Sequence, residues 1–415
     1  RSPTSTPLRD VAKSGGEVAA GRPGALARFL APGFLLPFLI FWSCLDRTII
    51  LPLVPVIADD LGSTLVAAGM AVTAHALAYS ILQLVWGPLS TRWGRPKVLW
   101  VSTAIAAVAN VATALAPSMT TFILARTASG GAFAAAFAAV LTYFGDTLPP
   151  LRRPAAMSNL ATASALGLAA GSLLAGWLDL WVDWRWTFAG YGLVTALLVP
   201  ALMTLPGAGD HAGERALAQL VHLARNRWAL AVYGLVMLEG FLLIGVLSFL
   251  PVALQQEGES VLVSGFVTAA FGVAVVVASQ SMKLFVARVR PAVLLVTGGA
   301  ISAAGFAVLL PGVSTTTIML GAVLMGVAWA LAHTTLQTWM ADVAVAARAL
   351  GMTFFSISLM LGGAFGAAAG SFAAGRLAFP LLFAVSVAGS LVFGLSAWSG
   401  RARYREREDD QVSIR

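Results

Sequence analysis

Four long apolar runs of this 415-residue chain each contain an ionisable side chain of particular interest: Asp46, Arg126, Glu239 and His333. Only 11% of the residues are charged and 59% are hydrophobic, so an ionisable group within such a run is rare. A charged side chain in the hydrocarbon core of a membrane is costly, and those that occur there usually serve function. A proton and a substrate that compete for one buried carboxylate become coupled. Asp46 and Glu239 are therefore candidate proton carriers, and all four residues are candidate substrate ligands.

Two polar stripes extend this candidate site. Their members recur every four residues, which places each stripe on one face of a helix. The stripes are His75, Tyr79 and Gln83, and Trp329, His333 and Gln337. We expect the first stripe to face a cavity edge or helix eleven, and the second to form an aromatic pocket wall with Phe133, Phe137 and Phe241. For both histidines, a plain helix–helix hydrogen bond is the alternative to a role in proton transfer.

Twelve apolar runs are long enough to carry these residues across a bilayer, since a helical span needs about 20 residues. The runs cover 32–56, 65–89, 98–117, 119–144, 156–178, 186–206, 228–253, 261–285, 292–311, 316–340, 350–375 and 380–399. Of the 26 Lys and Arg residues, 22 fall on the side of the N terminus, two on the opposite side and two within spans. This asymmetry predicts an all-α membrane protein of twelve transmembrane helices with both termini in the cytoplasm.

The chain divides into two similar halves. Asp146 lies six residues before Arg152 at the end of the fourth run, and Asp342 lies six residues before Arg348 at the end of the tenth. The polar stretch between the sixth and seventh runs is amphipathic and is predicted to lie on the inner membrane surface. The predicted organisation is a cytoplasmic tail at 1–31, a six-helix bundle at 32–206, the linker at 207–227, a second bundle at 228–399 and a tail at 400–415.

Four motifs, in order along the chain, resemble those of the major facilitator superfamily. Gly87–Lys97, which reads GPLSTRWGRPK, resembles the loop signature G-x-L-x-D-R-x-G-R-[KR] between helices two and three. Arg126–Phe133 resembles the R-x-x-x-G motif of helix four, and Gly167–Gly176 is similar to the glycine motif of the family's antiporters in helix five. Trp184–Phe188 resembles the W-R-x-x-F that opens helix six. The resemblance is strongest to the twelve-helix drug:proton antiporters of the family.

The resemblance implies two pseudo-symmetric six-helix bundles around a central cavity. In this family helices one, four, seven and ten line that cavity, so each would bring one of the four ionisable residues to it. The resemblance also implies that Arg126 pairs with Asp46 and releases it when Asp46 is protonated.

A second group of residues is expected to gate the cavity. Its glycines permit a tight loop or close helix packing, and its charged residues can hold loops at the inner surface. The candidates are Gly87, Arg92, Gly94, Arg95, Asp146, Gly171, Gly176 and Asp342. Two positions depart from the family pattern: Thr91 replaces the loop carboxylate, and Ser172 replaces the proline of the antiporter motif. Without a carboxylate at Thr91, the charge network between the halves is either absent or shifted to Asp146 and Asp342. Without a proline at Ser172, the resemblance to the antiporters is weaker.

The sequence contains no P-loop, nucleophile elbow or cluster of metal ligands, which argues against an ATP-driven pump or an enzyme. We expect a secondary transporter of a bacterial inner membrane that works by alternating access and exports a small amphipathic compound in exchange for protons. The two carboxylates favour a cationic compound, whereas Arg47 and Arg126 favour an anionic one. Expected partners are the substrate, protons and the lipid bilayer, with no cofactor, metal or nucleic acid, and the chain is expected to act as a monomer.

Three alternatives remain open at this point. One is a proton-coupled symporter or exporter of a polar metabolite, such as a sugar, an organic acid, an amino-acid derivative or a metal chelator. The second is a lipid flippase, and the third is a transporter-like receptor without flux.

Overall fold

The computed structural model describes residues 31–207, 223–282 and 288–413, and these residues form helices joined by short turns. The helices are α1 (Pro32–Asp60), α2 (Leu65–Trp93), α3 (Arg95–Ala114), α4 (Met119–Thr147), α5 (Arg153–Leu178), α6 (Trp184–Met203), α7 (Arg227–Gln256), α8 (Val261–Met282), α9 (Pro291–Ala307), α10 (Thr315–Val343), α11 (Arg348–Arg376) and α12 (Phe379–Ser413). Within the described ranges, eleven of them are long and apolar enough to cross a membrane, and α9 is a shorter apolar helix of 17 residues. The all-helical class is confirmed, whereas twelve crossings and cytoplasmic termini stay predictions.

Some predicted segments differ from the structure or lie outside it. The predicted tail at 1–31 and most of the linker at 207–227 lie outside the described residues. The predicted tail at 400–415 begins within a helix, because α12 continues past the predicted span at 380–399 to Ser413. The charged residues after Gly400 are mainly Arg and Glu, which have high helix propensity, and no proline interrupts them.

The fourth helices of the two halves begin in the same way. Ser118 caps α4 and Ser314 caps α10, and each forms a capping box with the threonine three residues later. The two serines are 196 residues apart, and both helices contain 29 residues. This local agreement supports the internal duplication that the acidic and basic residues at the other ends of these helices indicate.

The first helix of each half is interrupted near its middle. In α1, regular helix ends at Thr48 and resumes at Val54 after a short 3-10 segment. Pro52 lies in this break, and a proline leaves the carbonyl four residues earlier without its backbone donor. Ser172 of α5 donates a hydrogen bond to that carbonyl, on Thr48, at 2.9 Å. The hydroxyl that replaces the antiporter proline therefore satisfies the backbone group that Pro52 leaves free.

The interruption in α7 follows directly after Glu239. A π-helix at Phe241–Val246 and a 3-10 turn at Leu247–Phe249 precede the final helical segment, which begins at Leu250. π-helical turns within α-helices occur frequently at functional sites. The break therefore makes the middle of α7 a region of irregular backbone beside an acidic side chain.

Two helix pairs, α2 with α11 and α5 with α8, join the halves. In α5, only Gly176 of the predicted gating glycines faces the other half, where a Cβ would lie 2.9 Å from the backbone of Leu262. Gly171 faces α1 instead, and a Cβ there would lie 2.1 Å from Oγ1 of Thr48 and 2.6 Å from the carbonyl oxygen of Leu45. Gly176 thus permits close packing at the seam between the halves, whereas Gly171 permits close packing of α5 on α1.

The halves are hydrogen-bonded at the end that carries the α1–α2 turn. There the Gln255 amide donates to the carbonyl of Pro52 at 2.8 Å, and Ser371 donates to the carbonyl of Val66 at 2.7 Å. Trp181 and Trp186, in the α5–α6 region at the same end, are 72% and 70% exposed. Exposed tryptophans at helix ends are typical of a membrane–water interface. This end is thus closed between the halves and has the composition of an interfacial rim.

Candidate functional site

A fully buried charge cluster joins α1 to α4 in the first half. Nη1 of Arg126 lies 2.9 Å from Oδ1 of Asp46, and Nη2 of Arg126 donates to the Asp46 carbonyl at 2.7 Å. Ser129 donates to the other carboxylate oxygen of Asp46 at 2.8 Å, and Asn110 of α3 accepts from Arg126 at 3.2 Å. The amide of Asn110 in turn donates to Ser129 at 3.0 Å. We call these four residues the α1–α4 cluster; both carboxylate oxygens in it are hydrogen-bonded.

His75 of α2 lies at the edge of the α1–α4 cluster. Its Nδ1 is 3.2 Å from the carbonyl oxygen of Arg126 and 3.7 Å from Oδ2 of Asp46. Gly130 makes this approach possible, since a Cβ at Gly130 would lie 2.4 Å from the His75 carbonyl oxygen. The helix–helix contact that was the alternative for His75 is therefore present. The other two members of its stripe also contact neighbours: Tyr79 lies under Arg47, and Gln83 donates to Ser356 of α11 at 3.1 Å.

A second buried acidic cluster joins α7 to α10 in the other half. Nδ1 of His333 lies 3.0 Å from Oε2 of Glu239, and the Gln337 amide nitrogen lies 3.1 Å from Nε2 of His333. With the amide nitrogen of Gln337 placed toward Nε2, that ring nitrogen accepts, and the ring proton on Nδ1 is donated to Glu239. Oε1 of Glu239 is buried without a hydrogen-bond partner. We call these three residues the α7–α10 cluster; it pairs a carboxylate with a neutral imidazole.

Aromatic rings fix the orientation of the imidazole in the α7–α10 cluster. Trp329 stacks on His333 with ring centroids 4.2 Å apart, and Phe355 of α11 meets the same ring edge-on at 5.3 Å. Phe271 of α8 packs against Trp329 at 6.2 Å. An imidazole held between rings in this way has little freedom to leave Glu239.

The predicted aromatic wall does not form as one group. Phe133 packs edge-on against Tyr191 in the first half, and Phe137 packs against the apolar cluster that α1 and α4 share there. Phe241 lies in the π-helix and makes no ring contact among the described residues. Phe133 and Phe137 face inward on α4, toward their own half, so Trp329 takes its ring partners from α8 and α11 instead.

An internal cavity lies between the halves, beside the interrupted parts of α1 and α7. It comprises about 600 Å³ of empty space, a volume that includes space open to solvent. Its walls come from α1, α2 and α5 of one half and α7, α8 and α11 of the other. Arg47 and His75 line it, and the other lining groups are mostly aliphatic. Arg47, one residue after Asp46 and on a different face of α1, is thus the cation that this cavity presents.

The charged gating candidates pair within their own halves. Arg95 at the start of α3 lies 3.0 Å from Asp146 of α4, and Arg401 of α12 lies 3.3 Å from Asp342 of α10. None of the ion pairs among the described residues joins the two halves. The proposed shift of an inter-half charge network to Asp146 and Asp342 is therefore wrong for this conformation, in which each aspartate already has an arginine from its own half.

Of the two glycines predicted to permit a tight loop between α2 and α3, only Gly94 lies in the turn, because α2 continues through Gly87 to Trp93. Gly94 has a φ of +83°, a conformation that favours glycine, and it separates the two helices. Gly87 is exposed within α2, and Arg92 is exposed near its end. Thr91 donates only to the local carbonyl of Pro88, at 2.7 Å, so it makes no contact that replaces the family's carboxylate.

Several residues of the two clusters were missed in the sequence. Asn110 carried a usable signal, because it is a lone amide within the apolar run of α3. Ser129 lies within the helix-four motif but carried no signal of its own. Around the α7–α10 cluster, Phe271 and Phe355 carried no such signal either, since many phenylalanines of a membrane helix face lipid or core.

Comparison with known proteins places these observations in a family. The model of the Major Facilitator Superfamily matches residues 36–348. An efflux pump of Gibberella fujikuroi is 28% identical over 238 residues, which are 57% of this chain and 41% of the pump. An uncharacterized MFS-type transporter of Mycobacterium tuberculosis is 26% identical over 178 residues, 41% of this chain and 26% of the relative. The chain thus matches less than half the length of these relatives.

The fold is also shared with solved structures. A mutant of the nucleoside transporter NupG superposes with a TM-score of 0.72 at 14% sequence identity, covering 89% of this chain and 99% of the transporter. The family model covers most of the chain, and the superposition covers 89% of it. The family match of the sequence and the shared fold are therefore consistent with each other. The chain belongs to the Major Facilitator Superfamily.

Proposed function

We propose that this protein is a proton-coupled antiporter that exports a small amphipathic compound by alternating access, with Glu239 as the proton carrier. One observation carries the proposal. Glu239 is 1% exposed, one of its oxygens accepts from a neutral imidazole, and the other has no partner. A buried carboxyl in this setting can bind and lose a proton without breaking an ion pair, because its neighbour carries no fixed charge.

Asp46 and Arg126 take a different part in this proposal. Both carboxylate oxygens of Asp46 are hydrogen-bonded. The guanidinium of an arginine stays protonated in proteins, so Arg126 keeps its charge. Protonation of Asp46 would leave the guanidinium buried without a counter-charge, which is costly. We therefore assign the α1–α4 cluster to fixing α1 against α4, and we assign proton transfer to the α7–α10 cluster.

Three features support alternating access. The cavity lies between the halves, next to the interrupted segments of α1 and α7, as binding sites of repeat-built transporters commonly do. The described polar contacts between the halves include hydrogen bonds at the end with exposed tryptophans and one from Gln83 to Ser356 farther along the seam, and no described ion pair joins the halves. The contacts across the seam include Gly176, which permits close packing of helix backbones. Rocking of one half against the other would then expose the cavity to each side in turn.

The topology that goes with this function is twelve crossings with both termini in the cytoplasm, including α9 as a short span. The basic residues of the sequence support it through the positive-inside rule. The matched relatives come from both fungi and bacteria and do not decide the membrane. Our proposal of a bacterial inner membrane therefore rests on the composition of the chain.

The test uses the full chain in liposomes that contain a pH-sensitive dye. Gradients of lipophilic cations, lipophilic anions and polar metabolites are imposed one at a time. We expect at least one compound to drive protons in the opposite direction, and Glu239→Gln to reduce that flux at least about tenfold, which corresponds to losing about 1.4 kcal/mol of coupling. Glu257→Gln, the same substitution at an exposed site after α7, is the matched control and should not change the flux.

The direction of the proton flux separates the alternatives. Flux in the same direction as a sugar or organic acid would replace the antiporter by a symporter. An undiminished flux in folded Glu239→Gln protein would remove Glu239 as the carrier. Absence of flux for every compound, with folded protein, would contradict proton coupling and leave the flippase and receptor hypotheses.

A further inference from the structure

Arg47 is a cation in the membrane part of the protein that has no carboxylate beside it. None of the ion pairs among the described residues includes it, and its described partner is the ring of Tyr79, 5.8 Å from the guanidinium carbon. The neighbouring carboxylate, Asp46, is taken up by Arg126. A cation–π contact compensates a half-buried guanidinium only in part, so a second partner of negative charge would stabilise it.

Two further polar groups of the cavity are also without partners. Nε2 of His75 and Oγ1 of Thr268 are both buried and make no hydrogen bond, although both residues line the cavity with Arg47. His75 is 5% exposed and Thr268 is 2% exposed. His75 belongs to the first half and Thr268 to α8 of the second. Buried polar atoms normally have partners, so a group bound in the cavity is the expected source of theirs.

The rest of the cavity wall is apolar. Leu51 and Val72 contribute from the first half, and Leu243, Phe271 and Met360 contribute from the second. A wall of this kind binds hydrocarbon or aromatic surface, while a few convergent polar groups set the orientation of the ligand. The cavity thus combines one cation without a counter-charge, two free hydrogen-bonding atoms and a mainly apolar wall.

We infer that the cavity binds amphipathic organic anions, whose carboxylate or sulfonate pairs with Arg47 and hydrogen-bonds to Thr268 while an apolar body packs against the aliphatic wall. This inference rests on the proposed transport function and names its substrate class. It also replaces the expectation of a cationic compound: the two membrane carboxylates already have partners in the protein, and the positive charge at the cavity does not. Because the anion would touch both halves, its binding would depend on how the halves are arranged.

The test measures equilibrium binding, with no ion gradient, to the purified full chain in detergent. The probes are 1-naphthaleneacetate, 1-naphthaleneacetamide and 2-(1-naphthyl)ethylamine, which share one apolar ring system and differ in charge. We expect the anion to bind tightest. Arg47→Gln should weaken binding of the anion by roughly 30-fold or more, the usual consequence of removing one partner of a hydrogen-bonded charge pair, and should change binding of the amide less than about twofold.

Two more variants sharpen this result. Thr268→Val keeps the shape of the side chain and should weaken binding of the anion by roughly 2- to 10-fold, as loss of one hydrogen bond does. Arg376→Gln is the matched control: Arg376 also lies over an aromatic ring, with its guanidinium carbon 4.0 Å from the centroid of Phe372, but it is exposed and outside the cavity lining. We expect Arg376→Gln to bind all three probes like the unmodified protein.

Thermal stability without ligand separates binding from a structural role. If the role of Arg47 is to bind an anion, Arg47→Gln without ligand should be at least as stable as the unmodified protein. Naphthaleneacetate should then stabilise the unmodified protein but not Arg47→Gln. Equal binding of the three probes, tighter binding of the amine, or unchanged binding of the anion by Arg47→Gln would overturn the inference. Loss of the apo protein's stability in Arg47→Gln would also overturn it, because Arg47 would then be a structural residue.

The outcome is independent of proton coupling. Anion binding that depends on Arg47, together with no proton flux in liposomes, would keep the anion site and remove the proposed antiport. Proton flux that depends on Glu239 and is driven by cations alone would keep the antiport and remove the anion site.

Discussion

The α1–α4 cluster and the α7–α10 cluster occupy corresponding helices of the two halves, yet they differ in the group that faces the carboxylate. Asp46 faces the guanidinium of Arg126 at 2.9 Å, and Glu239 faces the imidazole of His333 at 3.0 Å. Arginine cannot lose its charge in a protein, whereas histidine is neutral when one of its ring nitrogens accepts a hydrogen bond. The first pair therefore needs its carboxylate charged, and the second tolerates either state.

This difference indicates how duplicated halves can divide two tasks. A permanently charged pair holds two helices together, and its surroundings here supply hydrogen bonds from Asn110 and Ser129 as well. A carboxylate beside a neutral partner can change its proton occupancy, and Oε1 of Glu239 has no partner in the described structure. The broken backbone that follows Glu239, from Phe241, lies next to the second cluster. The fixed ion pair and the carboxylate that can change its proton occupancy thus lie in opposite halves of the protein.

The largest effect is expected from Asp46→Asn. This change leaves Arg126 buried and charged without its counter-ion, so we expect the free energy of unfolding to fall by about 3–5 kcal/mol. Unfolding in mixed micelles with increasing dodecyl sulfate measures it. Adding Arg126→Gln removes the stranded charge, and the double variant should recover most of the loss. A double variant as unstable as Asp46→Asn would mean that the charge is not what matters at this site.

A smaller loss is expected when α1 and α5 are forced apart. In Gly171→Ala the new methyl group would overlap Thr48 Oγ1 and the Leu45 carbonyl oxygen, at 2.1 and 2.6 Å. Overpacking of this kind typically costs about 1–3 kcal/mol, and the same unfolding assay measures it. Gly234→Ala in α7 is the matched control, since nothing lies within 4 Å of a Cβ there, and it should be neutral or gain about 0.5–1 kcal/mol. If Gly171→Ala and Gly234→Ala lowered the free energy of unfolding equally, close packing of α5 on α1 would not be what Gly171 provides.

A still smaller effect is expected at the break in α1. Ser172→Ala removes the hydrogen bond that satisfies the Thr48 carbonyl, and we expect a loss of about 1 kcal/mol in the unfolding assay. Pro52→Ala gives that carbonyl a backbone donor again. If our interpretation of the break is correct, Ser172→Ala should therefore cost less in the Pro52→Ala background than alone. The same cost in both backgrounds would show that the hydroxyl has another task.

The fold was largely predictable, because apolar run length and the positions of Arg and Lys act over whole helices. The ends of helices were less predictable: α12 continues beyond the membrane span predicted at 380–399 to Ser413, because polar residues can extend a helix beyond a membrane. Which charged residues lie in apolar runs was also readable, and the structure brings Asp46 to Arg126 and Glu239 to His333.

Side-chain direction was the part that spacing could not supply. Arg47 and Asp46 are adjacent in the sequence, and only the rotation of α1 decides that Asp46 meets Arg126 while Arg47 meets the cavity. The same limit explains why the predicted aromatic wall does not form: Phe133 is on α4 with Arg126, yet it packs on Tyr191 in its own half. The packing of neighbouring helices sets such rotations, and the spacing of residues in a single sequence does not show them.

The smallest expected change in stability is the most informative for the comparison. Glu239→Gln is the same carboxylate-to-amide exchange as Asp46→Asn, in the corresponding helix of the other half. The glutamine oxygen can still accept from Nδ1 of His333, and the neutral imidazole is not left as a stranded charge. We therefore expect the free energy of unfolding to change by less than about 1 kcal/mol. A loss near that of Asp46→Asn would show that His333 is charged in the folded protein, and the α7–α10 cluster would then be a second fixed ion pair rather than a site that exchanges protons.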